Sequence, residues 1–138
     1  MSVFLEETAG LNVTPTQAGL IHLIDNFPQI DQASAAFMLG VDRSTGAMVI
    51  RSLEKAGYVV RTVGTDRRRR CLELSEAGKV LATALRKPAA QAGTRLMEPL
   101  TKNEQAQLLR LLRKLTGAFN ESARVSAITD PSDVEKLF

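Results

Sequence analysis

A chain of 138 residues, 44% hydrophobic, 4% aromatic and net charge +3, has room for one cored domain with at most an appended dimerisation element. One cysteine, Cys71, and one histidine, His22, exclude an intramolecular disulfide and a Cys/His metal centre. The absence of a nucleotide-binding glycine motif, or of an acid pair with a reason to converge, argues against an enzyme and implies no cofactor.

No apolar run approaches the roughly 20 residues of a membrane span. Met1–Gly10 lacks the basic start and apolar stretch of a signal peptide. A reduced, cytoplasmic protein without membrane partners is therefore expected.

In chain order, Thr14-Pro15-Thr16-Gln17 reads as a capped helix start, with Ala18, Ile21, Leu23 and Ile24 at helical spacing and an end near Asn26. Ile30 can form a short bridge. Asp31 caps a short helix through Ala33, Ala36, Phe37 and Leu39, which Gly40 terminates. Asp42 then caps another helix, with Val49, Leu53 and Ala56 inward and Gly57 at its end. Two short helices joined by a glycine turn have helix-turn-helix spacing.

Tyr58–Val63 and Cys71–Leu74 read as the strands of a hairpin closed by Gly64-Thr65-Asp66. Ser75 caps a long helix through Val80, Leu81, Ala84 and Leu85, which Pro88 should kink or break before it resumes toward Leu96 and Met97. Thr101 and Glu104 frame a capping box. The last helix carries Leu108, Leu111, Leu112, Leu115 and Phe119, an apolar stripe that needs a partner. The fold class expected is mostly α with a small β wing: a winged helix-turn-helix plus dimerisation helices. Residues 14–74 form the lobe, 1–13 and 75–125 the helical dimerisation region, and 126–138 an irregular tail.

Charge is concentrated in this plan. From Asp42 to Arg70, eight basic residues face three acids for a local +5, leaving −2 for the remainder. Such a block suits nucleic acid phosphates, although charge alone fits a solvated face equally well.

Three segments, LNVTPTQAGLIHLI, GVDRSTGAMVIRSLEKAGYVVR and TDRRRRCLELSEAGK, resemble the MarR family of transcriptional regulators. They match its second helix, its recognition helix running into the wing, and its wing with the entry to the fifth helix. The resemblance implies double-stranded DNA as a partner and a recognition helix whose first turn meets base edges in the major groove. Arg43, Ser44, Thr45 and Ala47 become the readers, and Arg51 a phosphate contact. Gly46, costly in a helix by about 1 kcal/mol, is explained by close approach of DNA or of the neighbouring helix.

In the wing, Asp66 and Arg68 occupy the family's Asp-x-Arg signature and should pair. Arg67 or Arg69 then projects toward the minor groove. A homodimer would set two recognition helices about one DNA turn apart and read a pseudo-palindromic operator. Only Ser2–Gly10 precedes the second helix, so a short first helix, or missing residues, is expected where the family's interface normally gains much.

The resemblance also implies a pocket between the DNA-binding lobe and the dimerisation helices for a small aromatic acid or phenolic effector, near His22, Asp25 and Phe37. For His22 itself a structural role is the commoner case. Cys71, beside arginines that favour a thiolate, offers a redox option, but its place in an apolar strand reads more simply as structural. Repression is the commoner family behaviour. The rival reading is a winged helix used only for protein–protein contact, which should carry a neutral recognition helix and a short or acidic wing.

Overall fold

The computed structural model describes residues 2–64 and 70–120, without the side chains of 119 and 120. The wing residues Asp66, Arg67, Arg68 and Arg69, the turn at Thr65, the side chain of Phe119 and the tail 126–138 lie outside the described residues. Along the chain run α1 (Val3–Glu7), α2 (Pro15–Asn26), β1 (Ile30–Asp31), α3 (Gln32–Leu39), α4 (Arg43–Lys55), β2 (Val59–Val63), β3 (Arg70–Leu74), α5 (Glu76–Met97) and α6 (Lys102–Asn120).

Side-chain caps set where the helices begin. The Thr14 hydroxyl accepts the Gln17 N–H at 3.2 Å while Gln17 Oε1 accepts the Thr14 N–H at 2.9 Å, the reciprocal pair that starts α2 ahead of Pro15. Asp31 and Asp42 accept the N–H groups of Ser34 and Thr45 at 2.8 and 2.9 Å, opening α3 and α4. Gly40 closes α3 at φ +73°, where a side chain would be strained, and the Val41 N–H donates back to the Ala36 carbonyl. The chain is thus turned within three residues, Gly40 to Asp42, from one capped helix into the next.

The three strands form one antiparallel sheet in the order β1-β3-β2, with Ile30 opposite Leu72, Val59 opposite Leu74 and Thr62 opposite Cys71. Leu20, Ile21 and Ile24 of α2, Ile50 and Leu53 of α4, and Leu72 of β3 are the largest fully buried side chains. Each contributes on the order of 1.5–3 kcal/mol of burial, so α4 and the base of the hairpin share one core. Cys71 is buried on the central strand, as the structural reading expected.

Several inward assignments need correction. Ala56 is exposed, and Ile50, fully buried, fills the arc shared by Val49 and Leu53. Ala56 follows the last residue of α4, where the chain has already turned away from the core. In α3 the buried residues are Ser34, Ala35 and Ala36, whereas Ala33 is exposed and Phe37 is 47% exposed. Ser34 can be buried because its hydroxyl donates to Asp31 Oδ2 at 2.7 Å.

On α5, Leu81, Ala82, Leu85 and Ala92 face inward, while Val80 is 71% exposed and Ala84 is exposed. The helix continues unbroken through Pro88. The one carbonyl left without its helical donor belongs to exposed Ala84, where water can satisfy it.

Helix α1 is short and packs on α5. There Arg95 donates to Glu7 at 2.8 Å and to Glu6 at 2.9 Å, and the two carboxylates raise its guanidinium pKa further. Helix α6 begins at the expected capping box of Thr101 and Glu104 and is tied to the end of α5 by Gln105, whose amide donates to the carbonyls of Met97 and Leu100. Its leucines 108, 109, 111, 112 and 115 remain 37–57% exposed. Among the described residues no helix is long and apolar enough to cross a membrane, and no cluster of side chains could hold a metal ion.

Candidate nucleic-acid interface

Helix α4 divides cleanly by its own period. Gly46, Val49, Ile50 and Leu53 are buried. Opposite them, Ser44, Met48, Arg51 and Lys55 recur at i, i+4, i+7 and i+11 and are all exposed, forming one outward stripe along the helix. The stripe begins at the N-terminus of the helix, which the Asp42 carboxylate caps through the Thr45 N–H.

The sequence-derived readers take different positions. Ser44 is exposed at the head of the stripe. Arg43 is exposed on its flank, beside α3, where with Gln32, Ala33 and Ala36 it lines an open recess of about 270 Å³. Ala47 is half-buried. Thr45 is half-buried too, and its hydroxyl donates to Asp42 Oδ2 at 2.6 Å, so its donor is already engaged in holding the helix start. This bond, with the Thr45 N–H, holds the Asp42 carboxyl below its ordinary pKa of 3.8. Arg51 lies on the stripe two turns from its start.

The close approach inferred for Gly46 is made by protein. A β-carbon there would stand 2.5 Å from the β-carbon of Ala36 on α3, so the glycine lets the two helices of the motif cross in contact.

The basic block separates into engaged and free cations. Arg61, on β2, forks onto Glu54 of α4 at 2.6 and 3.3 Å and donates to Gln32 Oε1 of α3 at 2.9 Å, strapping the wing strand to both helices of the motif. Arg43, Arg51, Lys55 and Arg70 have no such carboxylate partner among the described residues. The wing cations Arg67, Arg68 and Arg69 lie outside those residues.

The residues singled out for an effector are spread over two helices. His22 is exposed on α2, and the Asn26 amide donates to its carbonyl at 2.8 Å and lies 3.3 Å from its ring. Asp25, on the same helix, accepts from Arg86 of α5 at 3.1 Å, bridging the lobe to the long helix. Phe37 presents a half-exposed ring from α3. None of the three lines the recess beside Arg43.

Sequence reasoning passed over Met48 and Lys55. Counting four residues from Ser44 and four beyond Arg51 places both on the outward stripe, a signal present in the spacing alone.

The fold and this face together define a winged helix-turn-helix protein. Residues 11–69 match the MarR family, and the chain is similar to that family of transcriptional regulators. A Thauera aromatica protein named for transcriptional regulation of the hcr operon is 33% identical over 104 residues, which are 75% of this chain and 63% of that protein. This chain therefore spans 63% of the length of the curated relative it matches.

Among solved structures, the transcriptional repressor CouR bound to a 23-mer DNA duplex is 30% identical, with a TM-score of 0.71 over 82% of this chain and 81% of that one. The Streptomyces coelicolor regulator PcaV in complex with its natural ligand is 25% identical, with a TM-score of 0.72 over 85% and 84% of the two chains.

Proposed function

We propose that the protein binds double-stranded DNA sequence-specifically as a homodimer, reads a pseudo-palindromic operator, and represses transcription until a small aromatic or phenolic acid releases it. The observation that carries this reading is the outward face of α4, with Arg43 and Arg51, which have no carboxylate partner among the described residues, and exposed Ser44 on a helix anchored in the core. Ser44, Arg43 and Ala47 contact base edges, Thr45 supports the helix start, and Arg51 takes a backbone phosphate. In the wing, Asp66 pairs with Arg68 while Arg67 or Arg69 enters the minor groove.

The DNA-bound CouR relative supports this reading, and the ligand-bound PcaV relative supports an effector, here approached by His22, Asp25 and Phe37 between the lobe and α5. The exposed leucines of α6 support a two-fold partner. Salt-dependent binding to fragments from beside the protein's own gene is the test. Tight binding to one fragment, steep in salt and abolished by Arg43→Ala, is expected; weak binding uniform across fragments and indifferent to that change would refute sequence-specific regulation.

A further inference from the structure

Met48 stands out on the proposed reading face. It is 59% exposed at the middle of the outward stripe, one turn after Ser44 and one turn before Arg51. The core takes nothing from it, since Gly46, Val49, Ile50 and Leu53 already fill the inward arc of α4. An unbranched thioether held out among serine and free cations keeps apolar surface in water unless a partner covers it.

The surroundings select that partner. Arg51 and Lys55 lie farther along the same stripe and Arg43 flanks its start, all without carboxylate partners among the described residues. An apolar protein surface would leave these charges facing it. A DNA major groove meets both requirements: phosphates border it on either side, and thymine carries the C5-methyl group on its floor.

Resting on the regulator reading above, we propose that Met48 is a specificity-determining residue that packs on the 5-methyl group of a thymine in each operator half-site. Its place one turn farther along the helix sets that thymine beyond the bases met by Ser44. The contact is apolar and adds no term to the salt dependence, which separates it from those of Arg43 and Arg51.

The experiment selects a tight-binding duplex from random-sequence DNA with the full chain, then replaces each thymidine in turn by deoxyuridine, which removes only the methyl group. Wild-type protein should lose about fourfold in affinity per half-site at one symmetric position, the effect of withdrawing one buried methyl. In Met48→Ala, checked for unchanged helical content, that loss should vanish while the salt slope stays the same. Met48→Leu should keep the loss.

Equal deoxyuridine effects in wild type and Met48→Ala, or none in either, would overturn the contact. A change in self-association on Met48→Ala would overturn it too, by placing the residue at a protein interface. Failure of the wild type to select any duplex would sink the regulator reading itself, and this contact with it.

Discussion

Gly46 on α4 faces Ala36 on α3 so closely that a β-carbon at position 46 would lie 2.5 Å from that of Ala36. Alanine is the better helix former by about 1 kcal/mol, yet the side chain it would meet is a rigid methyl on a packed helix. Gly46→Ala is therefore expected to destabilise the protein by about 1–3 kcal/mol. Ala36→Gly in the same chain should recover part of the loss. Urea midpoints of the two single variants and the double variant check this. A stabilised Gly46→Ala would show that the helices separate freely.

Arg51 and Arg61 belong to the same basic block and should behave differently toward DNA. Arg61 is held by Glu54 and Gln32, whereas Arg51 is exposed and without a carboxylate partner among the described residues. Arg51→Ala should reduce the slope of log affinity against log salt by about one per recognition helix. Arg61→Ala should leave the slope nearly unchanged and instead lower affinity by loosening the wing strand from α4. Binding isotherms over a salt series decide between them; equal slope changes would mean that Arg61 also reaches phosphate.

What was legible in the sequence followed from local chemistry. Thr14-Pro15-Thr16-Gln17, Asp31, Asp42, Ser75 and Thr101 each announced a helix start, because a cap is decided by residues three apart. Gly40 and Gly57 marked ends by their left-handed backbone. What escaped depended on tertiary direction. Val80 and Ala84 fit an apolar stripe, but the face α5 presents to the lobe runs through Leu81, Ala82 and Leu85. Pro88 reads locally as a breaker, and only the exposure of Ala84 explains why the helix tolerates it. Arg61 is one cation of the basic block by sequence alone, because its partners Glu54 and Gln32 lie 7 and 29 residues away.

The caps also set an acid sensitivity. Asp42 is held below its ordinary value of 3.8, chiefly by the Thr45 hydroxyl, and Glu104 below 4.5, chiefly by the Thr101 N–H. A carboxyl whose pKa is depressed by folding contributes stability that is complete above the ordinary value and is lost as pH falls through the lower, folded one. Asp42→Asn keeps an acceptor at the cap but cannot titrate. Urea midpoints at about pH 6 and about pH 3 should therefore differ less in Asp42→Asn than in wild type. An unchanged difference would mean that the Asp42 cap does not contribute to acid lability.

Leu108, Leu111, Leu112 and Leu115 on α6 follow i, i+3, i+4 and i+7, each 37–57% exposed in the protomer. A stripe of that width in water favours a second copy, and among the described residues the hydrogen bonds that hold the helix to its own chain are those of Gln105 at the end of α5. The double change Leu111→Glu, Leu115→Glu should consequently leave the lobe folded, with its thermal transition close to that of a monomeric wild-type lobe. The particle mass measured by light scattering should fall by half. DNA affinity should fall at least about a hundredfold, because two half-sites would no longer be engaged by one particle. Retention of full mass and affinity would move the two-fold contact away from α6, leaving α1 and the exposed side of α5 at Val80 and Leu96 to supply it.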